Sequence, residues 1–196
     1  VPSIQDHKSE LRKSLAKGRR ARSAQDRALA ASANTSHLLG LLAGSSIVCA
    51  FLPLPSEPLG TDLLDELTAS GTIVVVPVVT VDSPMHWCQY PGPSAAGAFG
   101  ILEPTGPRLA PDYLLRADVV LVPAFAVDLQ GQRLGRGGGH YDRSLALLET
   151  VPQTSRPELI AVLFDGEVVT SLPTDCYDVS VDSAVQPASG LRRFRR

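Results

Sequence analysis

The apolar and polar positions fall into two textures along the chain. From about Ile4 to Ala33 there is no proline and only Gly18, and Ala, Leu, Arg, Lys and Gln, all good helix formers, dominate. Ile4, Leu11, Leu15 and Ala16 make a rough helical stripe, which predicts one long helix over 4–33 and a short second one over Thr35–Leu42, stopped near Gly44. Beyond this point short apolar runs take over. Ser46–Leu52, Thr72–Val79, Ala117–Val122 and Leu159–Leu163 predict buried strands, and Met85–Tyr90 and Val179–Val185 are weaker candidates. Helices are predicted over Thr61–Leu67, with Thr61 as N-cap, and over Asp142–Leu148. Residues 91–112, rich in Gly and Pro, predict a long surface connection. Strand and helix alternate, and the strands are apolar throughout rather than on every second residue. That pattern predicts an α/β fold whose mostly parallel sheet is covered on both faces.

Length and composition narrow this picture. The 196 residues fit one domain, 44% of them hydrophobic, enough for a sizeable core. The net charge of −2 gives no argument for nucleic acid as a partner. The basic residues are nonetheless uneven. Lys8, Arg12, Lys13, Lys17, Arg19, Arg20, Arg22 and Arg27 crowd the first helix, and Arg192, Arg193, Arg195 and Arg196 close the chain. Most of these read as a solvated helix face and a frayed tail over 191–196, while a few are placed to meet a polyanion. Cys49, Cys88 and Cys176 are far apart, with no CxxC pair and no even count for a disulfide framework. A reducing compartment follows. No apolar run reaches the roughly 20 residues of a membrane span, and no secretory signal is read at the N-terminus. A cytoplasmic location is expected. His7, His37 and His86 lack metal-ligand spacing, so no structural zinc is expected.

The segment that carries chemistry runs from Leu121 to Leu145. It follows an apolar strand, leads into a helix, and contains Arg133-Leu134-Gly135-Arg136-Gly137-Gly138-Gly139-His140-Tyr141-Asp142. In open α/β sheets ligands sit at the carboxyl ends of strands, beside such loops. Glycines let the backbone approach an anion closely. Arg133 and Arg136 offer guanidinium forks to phosphate oxygens, and the carboxylate of Asp142 suits Mg²⁺ held against them. Together these residues make a phosphoryl-transfer set. The loop is neither a GxxxxGK[ST] phosphate loop nor a GxGxxG dinucleotide fingerprint.

At these residues the sequence resembles the 5-formyltetrahydrofolate cyclo-ligase (5,10-methenyltetrahydrofolate synthetase) family, whose loop is of the type G-x-RLG-x-G-x-G-Y-Y-D. Lys8-Ser-Glu-Leu-Arg12 resembles the family's K-x-x-x-R, Phe99–Pro104 its F-G-I-x-E-P, and Pro173 with Asp178 and Asp182 its closing motif. Three positions depart from the pattern. His140 stands where the family has tyrosine, Val127-Asp128 replaces Phe-Asp, and Glu57 lies four residues before Thr61 where three are usual.

The resemblance implies a three-layer α/β sandwich akin to the phosphosugar isomerase and CoA transferase folds. It implies ATP-dependent conversion of 5-formyltetrahydrofolate to 5,10-methenyltetrahydrofolate, with Mg²⁺, in a monomer that acts on small molecules without nucleic acid or membrane. It places Lys8, Arg12, Arg133, Leu134, Gly135, Arg136, Gly137, Gly138, Gly139 and Tyr141 on ATP. Arg133, Arg136 and Tyr141 carry catalysis by positioning and charge neutralisation. Leu52 (with Phe51 beside it), Glu57, Arg136, the glycines and His140 would meet the folate, Trp87 would stack on it or pack in the core, and Asp142 and Asp178 would meet the metal. His140 can take up a proton in the physiological range, and anionic ligands beside it would favour that. Two other readings stay open: a sugar-phosphate isomerase or CoA transferase of the same fold, which would lack the K-x-x-x-R arm, and a non-catalytic folate- or nucleotide-binding regulator.

Overall fold

A computed structural model describes residues 3–96 and 102–194. In chain order the elements are α1 (Ile4–Ala21), α2 (Ala24–Leu41), β1 (Ile47–Cys49), α3 (Asp62–Ala69), β2 (Ile73–Val78), β3 (His86–Tyr90), β4 (Ser94–Ala96) and β5 (Leu102–Pro104). There follow β6 (Val119–Pro123), β7 (Ala126–Asp128), β8 (Arg133–Leu134), α4 (His140–Leu145), β9 (Glu158–Val162), β10 (Val168–Val169), β11 (Ser183–Gln186) and β12 (Gly190–Arg193). Among the described residues no helix is long and apolar enough to cross a membrane.

The main sheet has the order β12-β11-β9-β6-β1-β2-β3. Its interior pairs are parallel, and β3 and β12 close the two edges antiparallel. Successive strand residues divide between two cores. Val75, Val120, Val122, Leu159 and Ala161 pack with Trp87, Leu114, Leu145 and Leu148 on one face. Val74, Val76, Leu121, Ile160 and Val162 pack with Leu38, Leu42, Leu63 and Leu67 on the other. Both faces being apolar is why these strands read as continuous hydrophobic runs. The result is the expected three-layer α/β sandwich. A small sheet, β10-β7-β8, sits beyond β6, and β4 pairs with β5 as a hairpin.

The structure differs from the sequence reading at several elements. The helix expected over 4–33 is two helices. Arg22 is extended, and Ser23 caps α2 in a reciprocal capping box with Asp26, as Ser3 and Asp6 do for α1. The short helix expected over Thr35–Leu42 is the end of α2. The connection over 91–112 contains the β4–β5 hairpin, with Phe99, Gly100 and Ile101 outside the described residues. The tail expected to fray is ordered as β12 through Arg193, with Phe194 buried; Arg195 and Arg196 lie outside the described residues.

The first helix does not dock by its apolar stripe: Ile4 and Leu11 are exposed, and the buried residues of α1 are Lys8 and Arg19. Arg19 donates from Nε to Oε1 of Glu167 (2.8 Å), and from Nη2 to Oε2 of Glu167 (2.6 Å) and the Ala124 carbonyl (2.6 Å). Its guanidinium also lies 4.9 Å from the centre of the Phe125 ring. Glu167 takes a further bond from the Phe164 N–H. This satisfied buried pair fastens α1 across the carboxyl end of β6.

Candidate active site

A cavity of about 930 Å³ opens where the parallel strands end, under α1. One wall is apolar: Phe51 and Leu52 after β1, Pro77 and Val78 at the end of β2, Val79, and Met85 before β3. The polar lining comes from the segment Arg133–Arg143, with Lys8 and Arg12 entering from α1 and residues 175–179 from the chain after β10. The sequence placed the glycine loop directly after β6; the structure inserts β7 and β8, so the loop springs from the small sheet. Asp128, at the turn between β7 and β8, accepts from the N–H groups of Gln130, Gln132 and Leu172, so it shapes this support.

Hydrogen bonds and ion pairs position the main cations of the cavity. Arg133 is buried, donating to Oδ1 of Asp142 (2.7 Å) and to the Pro123 carbonyl (3.2 Å). Arg136, half-exposed, has its Nε 3.5 Å from Oε1 of Glu57. Arg12 donates from Nε to the Gly135 carbonyl at 2.8 Å. Lys8, buried, forms an ion pair with Asp178, which also accepts from the Asp175 N–H. Gly137 has φ +100°, a conformation L side chains rarely adopt, and a Cβ there would stand 3.3 Å from the Arg12 guanidinium. The bend lets α1 and the loop meet.

Burial sets the proton affinities. Desolvation pushes the Glu57 carboxyl above its ordinary value, against the Leu54 N–H and Arg136, which favour the ionised form. Desolvation, with Glu57 nearby, raises the Tyr141 phenol well above its usual range, and its buried hydroxyl has no hydrogen-bond partner among the described residues. His140 moves the other way. Partial burial and the Arg143 guanidinium, 2.9 Å from Nδ1, lower its pKa, while Asp82 opposes them weakly. The fold therefore opposes the proton uptake expected of this histidine, first through burial and then through the Arg143 donor at Nδ1.

The structure brings together in one cavity Lys8, Arg12, Leu52, Glu57, Arg133, Gly135, Arg136, Gly137, Gly138, Gly139, His140, Tyr141, Asp142 and Asp178. Leu134 is buried in β8 and braces the loop from behind. Trp87 is not among the cavity's lining residues: it lies on β3, 1% exposed and turned into the core, with its indole N–H donating to the Pro111 carbonyl. Leu102, Glu103 and Pro104, the described part of the Phe99–Pro104 motif, reach the cavity rim. Sequence reading missed Arg143, whose only signal is its position three residues after His140 on the same helix.

Comparison with known proteins follows this geometry. The family model described as the 5-formyltetrahydrofolate cyclo-ligase family matches residues 4–187. The chain belongs to the 5-formyltetrahydrofolate cyclo-ligase family. It is 38% identical to the 5-formyltetrahydrofolate cyclo-ligase of Mycolicibacterium smegmatis over 194 residues, covering 96% of this chain and 97% of that protein. It is 30% identical to the Escherichia coli cyclo-ligase, over 72% of this chain and 78% of that one. Among solved structures it is similar to 5,10-methenyltetrahydrofolate synthetase from Aquifex aeolicus, with TM-score 0.77, 30% identity and coverage of 96% and 93% of the two chains. The synthetase from Mycoplasma pneumoniae, at 20% identity and TM-score 0.70, shares the fold over 90% of this chain and 96% of that one.

Proposed function

We propose that this chain joins ATP hydrolysis to ring closure of 5-formyltetrahydrofolate, giving 5,10-methenyltetrahydrofolate, ADP and phosphate. The observation that carries the reading is the convergence of α1, the glycine loop and an apolar wall on one cavity, in a chain of this family. The flat, mostly apolar pterin suits the wall of Phe51, Leu52 and Val78, with Glu57 accepting from its N–H edge. The triphosphate suits Lys8, Arg12 and the backbone of Gly135–Gly139. The formyl oxygen attacks the γ-phosphorus as the bond to ADP breaks. N10 then attacks the activated carbon and loses its proton, and the C–O bond breaks to release phosphate. Arg133 and Arg136 neutralise charge on the transferring group, and Tyr141 lines the reacting centre with its hydroxyl. No side chain needs to act as nucleophile; positioning and electrostatics supply the rate.

The donor set fits a nucleotide-borne magnesium ion rather than a protein cage. Among the described residues no group of three or more His, Cys, Asp or Glu is arranged to hold a metal. Magnesium is commonly held by one or two carboxylates plus substrate phosphates, where it neutralises phosphate charge. Asp142 is the first carboxylate for that role. Asp178 is the second, and its ion pair with Lys8 makes it the weaker one. The docked arm carrying Lys8 and Arg12 favours this reading over an isomerase or CoA transferase. Arg133, Arg136 and Asp142 in one cavity favour it over a binding-only regulator. A cytoplasmic location and a monomeric state are expected under the same reading. In the test, purified protein with ATP and magnesium should release phosphate only when 5-formyltetrahydrofolate is added, one for each folate converted. Phosphate release that ignores the folate would contradict the coupling.

A further inference from the structure

The five cations that line the cavity are of two kinds. Lys8, Arg133 and Arg136 each face a carboxylate: Asp178, Asp142 and Glu57. Arg12 and Arg143 face none within ion-pair distance among the described residues. Arg12 donates to a backbone carbonyl, and Arg143 donates from Nη2 to Nδ1 of His140 at 2.9 Å. Among the described residues Arg143 Nε is buried without a partner, and Glu149, which lines the same cavity, is exposed and not paired with it. A partly desolvated guanidinium left at full charge is matched to an anion that arrives with a ligand.

The two unpaired arginines stand at opposite ends of the glycine run. Arg12 approaches Gly137 and Arg143 approaches Gly139, where Nη1 lies 2.6 Å from the place a Cβ would take. Arg12 is on the side of α1, beside Lys8. Arg143 is at the other end of the loop, toward the β2–β3 connection: its partner His140 lies close enough to Asp82 to feel that charge, and Ser144 accepts the Met85 N–H (2.9 Å), tying α4 to the same connection. The proposed reaction brings two anions to this cavity, the triphosphate of ATP and the glutamate carboxylates at the end of the folate. Arg12 and Lys8 account for the first.

We infer that Arg143, held by His140, binds a carboxylate of the folate's glutamate tail and sets the preference for glutamylated substrate. This rests on the cyclo-ligase reading of the site. The planar fork of arginine matches a carboxylate through two parallel bonds. His140 suits the supporting role because a neutral imidazole orients the guanidinium without cancelling its charge, as an aspartate there would. The histidine in the family's tyrosine position thus has a use: it sets a ring-nitrogen acceptor beside Arg143.

The test compares KM for 5-formyltetrahydrofolate with KM for the same compound lacking glutamate, 5-formyltetrahydropteroate, at saturating ATP. The unmodified protein should bind the glutamylated compound about tenfold or more tightly, the range of a charge-assisted hydrogen bond. Arg143→Gln should raise that KM about tenfold, toward the pteroate value, and leave KM for the pteroate compound and for ATP nearly unchanged. Arg143→Lys should restore part of the preference, and His140→Phe should lose part of it. The inference is overturned if the unmodified protein shows no preference. It is equally overturned if Arg143→Gln changes nothing, or raises KM for both folates or for ATP, which would place Arg143 on phosphate or in the scaffold. Failure of the unmodified protein to convert either compound counts against the cyclo-ligase reading itself, a result distinct from a change in the ratio.

Discussion

At Asp142 one carboxylate oxygen already accepts from Arg133 at 2.7 Å, so an amide there would weaken that clamp and remove the charge proposed to hold magnesium. Asp142→Asn should lower kcat at least about a hundredfold, the scale of losing one transition-state stabiliser. Near-normal turnover at ordinary magnesium levels would contradict the assignment. Glu57 gives a pH test. Its pKa is raised, chiefly by burial, and it must be ionised to accept from the pterin N–H edge. A raised pKa means the proton is held to higher pH, so folate affinity is full above it and falls as pH drops through it. By reciprocity the folate in turn lowers this pKa. KM for the folate should therefore climb on acidification earlier than an ordinary carboxylate allows, and Glu57→Gln should show a higher KM without that acid limb. Parallel pH profiles would remove Glu57 from the pterin. At this scale the loop residues were legible because Gly, Arg and Asp types announce their chemistry. Trp87 was not, since stacking on a ligand and packing in a core demand the same apolar ring.

The helix α1 shows how an element is held by charge. Its mean pattern is that of a solvated helix, and most of its cations are so, yet Lys8, Arg12 and Arg19 each engage the body of the protein. Arg12→Ala should raise KM for ATP about tenfold or more while KM for the folate changes much less, since only one substrate loses a contact. Unchanged ATP kinetics would return Arg12 to a bracing role at Gly135. Farther along, Glu167→Gln leaves Arg19 as a buried unpaired charge. It should cost about 3–5 kcal/mol of stability, read from the denaturation midpoint. Pairing it with Arg19→Met should recover part of that loss. Unaltered stability in the single variant would show that α1 docks by other means. The break between α1 and α2 was written in the sequence as Ser23-x-x-Asp26, but helix-forming composition on both sides masked it. The edge strand β12 was hidden by its arginines, which lie on a sheet edge where charge is tolerated.

Across the whole molecule the sheet was the most legible part, because strands buried on both faces must be apolar throughout, and β1, β2, β6 and β9 after Glu158 are. What the pattern did not reveal was order and spacing: which strands neighbour one another, and that a small second sheet carries the glycine loop away from β6. These are set by contacts between distant segments, such as Arg19 with Glu167 and Lys8 with Asp178, which local periodicity does not record. That arrangement leaves one cavity of about 930 Å³, at the large end for ligand sites, as the two anionic substrates proposed for it require. The most direct measurement follows near-ultraviolet absorbance when the purified protein meets 5-formyltetrahydrofolate, because the methenyl product absorbs there and the formyl substrate does not. The account predicts a rise that requires ATP and magnesium and is nearly abolished by Asp142→Asn. A flat trace with all components present and the protein folded would contradict it.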